Sequence, residues 1–287
     1  MIKNQLKGLL IIIFYLFNVA HLKSNCIDME NGFTMHGAIF EEGTNRPLAF
    51  VNVGIAGKNV GTVSDINGAF NLNIPSANRL DTLTFSMVGY EPKKLALSTI
   101  NTDNLIIALK AAVYDISEVI VSNKKFKKKT VGNKASGKVV RFSLGGDDLG
   151  AELGSLIKIR KRKTFIKTFK WFVVDNPFER VRFRLNIYDY KGDKPDSNIL
   201  RQNIIVEFDK ASGMMEVDLS KYNIMVTHDF IVSLEWFEHP GESKTGSDEV
   251  SFSASLMGPL FMYRDVSLGE WYSHRPGSFG IHLDIEY

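Results

Sequence analysis

Gly61-Thr62-Val63-Ser64-Asp65-Ile66-Asn67-Gly68-Ala69-Phe70 decides the reading of this chain. Apolar residues alternate with polar or small ones on both sides of Asp65-Ile66-Asn67-Gly68. Asp and Asn tolerate the left-handed region and Gly enters it at little steric cost, so the four residues predict a tight turn between two strands. Downstream, Ala69-Phe70-Asn71-Leu72-Asn73-Ile74 puts Phe70, Leu72 and Ile74 on one face and ends at Pro75.

The same pattern extends both ways. Alternation over residues 33–40, 48–55, 59–64, 69–74, 81–88, 95–97, 104–109 and 117–121 predicts a series of short strands, broken by Gly, Pro, Asn and Asp about every ten residues. That spacing is the mark of a β-sandwich. On this reading Gly61, Gly68 and Gly89 serve backbone geometry, and Phe70, Phe85 and Tyr90 fill the core.

Three stretches taken together carry a family resemblance. They are Gly37 with Pro47-Leu48-Ala49-Phe50-Val51-Asn52-Val53, the opening decapeptide, and Asp81-Thr82-Leu83-Thr84-Phe85-Ser86-Met87-Val88-Gly89-Tyr90-Glu91. Over residues 34–122, ending on Tyr114-Asp115-Ile116-Ser117-Glu118-Val119-Ile120-Val121, the chain resembles the carboxypeptidase-like regulatory domain. This transthyretin-like β-sandwich stands at the front of many exported proteins of Bacteroidota, outer-membrane TonB-dependent receptors among them. The resemblance implies a structural or docking role and brings no catalytic residues. The remaining 165 residues are too few for a receptor's plug and large barrel.

At 287 residues the default is two domains, and 44% apolar residues suffice for two cores. The net charge of +3 comes mainly from residues 124–138 and 158–163, which excludes a nucleic-acid-binding face. A single cysteine excludes an intrachain disulfide and a cysteine-based zinc site. Lys3 and Lys7 followed by the apolar residues 9–17 predict a signal peptide over residues 1–25, the apolar run being about half the ~20 residues that span a bilayer. Cys26 is a candidate for lipidation, although Lys23 and Asn25 sit where lipoprotein signals carry aliphatic and small residues. The expected location is the periplasm, outer membrane or cell surface, with peripheral association with the outer membrane.

Residues 123–149, basic and then glycine-rich, read as a solvated linker. From residue 150 strands return over 157–174, 178–190, 203–208, 214–219, 229–238, 250–256 and 280–287, with no convincing helix. The expected fold class is therefore all-β, the regulatory-type sandwich followed by a second, jelly-roll-like antiparallel sandwich over 150–287. Arg180, Arg182 and Arg184 alternate against Val181, Phe183, Leu185 and Ile187. That arginine face has to be wet or matched by acidic partners, because desolvated guanidiniums are too costly alone.

The sequence offers little catalytic chemistry. Six histidines show no ligand spacing, and neither a Gly-x-Ser-x-Gly elbow nor a P-loop is present. His228 and His239 read as strand-end residues. Asp189, Asp193 and Asp196 crowd one loop, whose oxygen ligands suit a structural calcium as readily as an ordinary turn. Trp236, Tyr263, Arg264 and Trp271, with Tyr272 and His274 nearby, form a candidate glycan platform or else sandwich core. The function expected is a non-enzymatic envelope protein with a docking front module and a rear domain that binds a protein partner or a glycan. The alternatives are a hydrolase or its accessory subunit, in which two carboxylates distant in sequence meet in space, and a small outer-membrane barrel suggested by the alternation of residues 281–287.

Overall fold

The computed structural model describes residues 32–100, 104–113, 126–146, 148–159, 163–238 and 240–287. The signal peptide, Cys26, the predicted closing strand at 117–121 and His239 lie outside them. The described residues are all β, with short 3₁₀ turns and no α-helix.

The front sandwich has two sheets. In one, β1 (Phe33–Glu41) lies between β4 (Ala69–Ile74), antiparallel, and β7 (Leu105–Leu109), parallel. The other runs in the order β3 (Gly61–Val63), β2 (Asn52–Ile55), β5 (Thr82–Ser86), β6 (Lys93–Ala96). Phe70, Leu72 and Ile74 are buried as their alternation requires, and Phe70 meets Phe85 edge-on in the core. The turn closes as read: Asp65 Oδ1 accepts from the backbone N–H of Asn67 and Ala69, and Gly68 has φ of 77°. One expected strand starts late, at residue 52 instead of 48. Phe50 adopts φ of 62°, a region a bulky side chain enters at a cost, and this breaks the extended run.

The rear domain begins earlier than expected. β8 (Lys128–Gly132) pairs with the last strand, and β9 (Arg141–Gly145) pairs with β18 (Glu249–Ser255), so two stretches of the expected linker belong to the rear sheets. One rear sheet runs β13 (Lys194–Asn198), β12 (Val181–Lys191), β17 (Phe230–Trp236), β10 (Glu152–Ile157), β19 (Phe261–Arg264), β20 (Tyr272–His274), with β14 (Ile204–Phe208) also on β12. The other runs β21 (Ser278–Phe279), β18, β11 (Thr164–Asp175), β22 (Ile281–Glu286), β8, and β15 (Gly213–Asp218) and β16 (Met225–Val226) join β11. Every rear pairing among the described residues is antiparallel.

Between these sheets lies the larger core, with Trp171, Phe183, Phe230, Trp236, Phe252 and Phe279 wholly buried. This apolar interior is the reverse of an outer-membrane barrel, whose lumen is polar, so the barrel expectation does not describe the rear half. Phe183 sits at the centre, stacked on Phe208 and edge-on to Trp236 and Phe252. Truncating it leaves a void among three rings that cannot collapse together. Phe183→Ala should lower unfolding stability by about 3–5 kcal/mol, read from the midpoint of urea denaturation.

Candidate functional site

The β10 sheet has two unlike faces. Leu153, Leu185, Leu234 and Trp236 point into the core, while the other face carries Glu152, Arg184, Asn186, Ser233, Glu235 and Arg264. Register aligns four of these into one row across adjacent strands. Arg184 on β12 stands opposite Glu235 on β17, Glu235 opposite Glu152 on β10, and Glu152 opposite Arg264 on β19. All four are almost completely buried, Arg184 at 1% exposure and both glutamates at 0%.

Each charge in the row is matched. Arg184 Nη1 donates to Glu235 Oε2 at 3.1 Å, and Arg264 Nη2 pairs with Glu152 Oε2 at 2.5 Å. The two glutamates at the centre are like charges side by side, and neutral donors bridge them. Asn186 Nδ2 donates to Glu152 Oε1 at 3.0 Å and to Glu235 Oε2 at 2.8 Å, and the Ser233 hydroxyl donates to Glu152. Tyr188 Oη donates to Glu152 Oε2 at 3.2 Å, and Arg264 lies over the Trp271 ring at 5.0 Å. Burial, together with the Glu235 charge, pushes the Glu152 carboxyl above the ordinary glutamate range against the pull of Arg264.

The front domain closes the Arg184 end of the row. Arg184 Nη2 donates to the carbonyl of Phe50, and Nη1 also donates to Asn52 Oδ1 at 2.8 Å. The Phe50 ring packs edge-on against Phe237 at 4.7 Å, with Arg182 over both rings and itself bonded to Glu238. The left-handed backbone of Phe50 thus aims its carbonyl and its ring at the rear domain together. The seam continues through Gly57 N–H to the Leu268 carbonyl at 2.9 Å and Asn59 Nδ2 to Tyr272 Oη at 2.8 Å. Close approach is built in, since a Cβ on Gly61 would stand 2.0 Å from the Ser267 carbonyl oxygen.

The expected glycan platform does not assemble. Trp236 is at 0% exposure in the core against Phe183, and Tyr263 shares that core-facing side, whereas Arg264 and Trp271 lie on the opposite face of the sheet. Alternation along the strand separates Tyr263 from Arg264, and Arg264 is committed to Glu152. The calcium site is likewise not formed. Asp193 and Gly192, with φ of 60° and 56°, make the two-residue turn between β12 and β13. Lys191 Nζ lies between Asp189 and Asp196 at 3.5 and 3.1 Å, and Asp193 accepts from Tyr190 Oη. Among the described residues no acidic or histidine cluster suited to a metal occurs. Arg182 and Arg184 do find the acidic partners their face requires. The glutamate pair itself is the constellation that residues distant in sequence form, and only its Glu235 half sat in a recognised strand.

Comparison with known proteins agrees on the front domain. Residues 35–121 match the CarboxypepD_reg-like domain family. That stretch is a regulatory-type β-sandwich domain, and the rest of the chain lies beyond the match. No curated protein matches the chain. Among solved structures, that of infectious bursal disease virus Gt strain is similar over 88% of this chain and 59% of its own, at 13% identity and a TM-score of 0.29. The VP2 subviral particle of the same virus aligns over 88% and 63%, at 12% identity and a TM-score of 0.29. The chain spans about three-fifths of those chains, and at such scores no shared architecture follows.

Two outcomes follow from the row. Arg184→Ala strands Glu235 in a dry site and releases the front domain's two acceptors, so stability should drop by about 3–5 kcal/mol, while the double change Arg184→Met with Glu235→Met should recover much of it in the same denaturation series. The second outcome concerns pH. Glu152 binds its proton more tightly folded than unfolded, so its contribution is complete below the unfolded value near 4.5 and is lost as pH rises through the raised folded value. Asp284, held low by Thr130 and Lys170, acts in the opposite sense and loses its contribution as pH falls. Glu152→Gln should therefore flatten the decline of stability on the alkaline side and leave the acid limb in place, as read from urea midpoints between about pH 4 and pH 9.

Proposed function

We propose that this chain is a non-enzymatic exported protein of the bacterial envelope, of the kind Bacteroidota build on this front domain. Its front sandwich is a structural docking module, and its rear sandwich takes a protein partner or a glycan. One observation carries the reading: the paired glutamates are buried and committed to partners within the chain. General acid or base chemistry needs a carboxyl that substrate can reach. Here Glu152 and Glu235 are sealed between two arginines, and the arginine at one end is bonded to the front domain. The charged N-terminal flank and apolar run of residues 3–17 support export.

The test uses the full chain expressed with its own N-terminus in a Gram-negative host. Processed protein is expected in the envelope fraction. A glycan array and a cross-linking screen against envelope proteins should then return a saturable ligand. Chromogenic glycosides should not turn over. Turnover that Glu152→Gln abolishes, in a protein that still melts cooperatively, would replace this reading with the hydrolase one.

A further inference from the structure

At the far end of β10 from the seam, the two rear sheets part to leave a cleft of about 380 Å³. Its walls are the outer strand β8 (Lys129, Thr130, Val131, Gly132), the end of β10 (Leu156, Lys158), Leu260 just before β19 and Arg275 just after β20. Lys129, Lys158 and Arg275 are all exposed, and none has an ion-pair partner among the described residues. Neighbours on the outer face of the same sheet are matched: Lys128 with Glu286, and Lys170 with Asp284 and Glu216. Alternation explains the difference. Lys128 and Thr130 share the outer face, where Thr130 donates to Asp284, whereas Lys129 shares the side of Val131, which packs on the core, and so faces the cleft.

β8 also offers backbone. Among the described residues it is an outer strand, paired on one side only, with β22. Lys127 and Tyr287 exchange both backbone hydrogen bonds, and Asn133 N–H donates to the Ile281 carbonyl. In an antiparallel ladder bonded pairs alternate with unbonded ones, so Lys129 and Val131 bond to β22, and Lys128, Thr130 and Gly132 turn their N–H and C=O groups to the free edge. Free groups at every second residue match the repeat of another extended chain.

We propose that β8 and this cleft receive an acidic extended peptide segment of a protein partner, added as a strand beside β8 with its carboxylates toward Lys129, Lys158 and Arg275. The edge gives affinity through main-chain hydrogen bonds, and the three cations give sequence preference. An anionic polysaccharide would meet the same cations and leave the free backbone groups unused, so peptide is favoured. This assignment rests on the reading of the rear domain as a binding module and names its partner's chemistry.

The experiment uses the purified full-length protein and a fluorescent peptide of alternating Glu and Val, followed by polarisation. Comparison ligands are the same peptide N-methylated at every second residue, in both registers, and polygalacturonate. Saturable binding is expected, weakened at least about tenfold by N-methylation in the pairing register and by Lys129→Glu with Arg275→Glu. Both residues are exposed, so the double variant should melt with the wild type. Equal binding of both N-methylated peptides, preference for polygalacturonate, or no peptide binding by normally melting protein would each overturn the proposal. If the array or cross-linking screen yields a ligand whose binding survives the double variant, the cleft assignment falls and the binding-protein reading stands.

Discussion

The row Arg184–Glu235–Glu152–Arg264 is the constraint on which the arrangement of the two domains depends. Four ionisable side chains on the central strands of a sheet cannot stay charged and dry unless each is matched, because desolvating one alone costs several kcal/mol. The rear domain supplies most of the match itself. At the Arg184 end the Phe50 carbonyl and the Asn52 side chain accept further hydrogen bonds from the two terminal guanidinium nitrogens. The front domain is thus bound by satisfying charge as well as by apolar contact between Phe50 and Phe237. The unusual backbone of Phe50 is intelligible on the same ground, since a conformation that is costly alone persists where its surroundings fix it.

Such a seam favours one relative placement over others. An apolar contact tolerates sliding, whereas a buried arginine leaves its partners only at the full desolvation cost of the charges exposed. The glycines at the contact tighten this further. Gly54 and Gly61 face the Ser267 carbonyl so closely that no side chain fits between the two backbones. Shape and charge therefore select the same docking.

Local pattern made the front domain legible, and long-range register kept the charged row hidden. The turn at Asp65–Gly68 and the alternation of β4 declare themselves within ten residues. β12 was also readable, down to the requirement that its arginines find acidic partners. β10 was not, although it is the central strand of its sheet. Its residues Glu152-Leu153-Gly154-Ser155-Leu156-Ile157 are buried throughout, yet Glu, Gly and Ser at its start read as loop. The polar residues that disguise the strand are the ones that build the row. β8 was hidden for a related reason: a lysine-rich edge strand has the composition of a linker, because charge on an edge is how sheets avoid pairing with one another. The expected aromatic platform failed on parity, as neighbours in sequence on a strand lie on opposite faces and never form one surface.

The same β10 sets the two ends of the rear domain against each other. Glu152 opens the strand inside the sealed seam, and Lys158, six residues on and roughly 20 Å away at ~3.3 Å per residue, stands at the open cleft. At the seam every formal charge has its opposite within the chain. At the cleft three cations and one strand edge have none among the described residues. Solvent screens exposed lysines cheaply, so charge alone would mean little there. What distinguishes the cleft is that unmatched charge coincides with unpaired backbone on a strand whose outer-facing neighbours are all matched. A chain that buries four matched charges, uses the arginine at one end of them to hold its front domain, and leaves this edge open has divided its polar groups between holding itself together and holding something else.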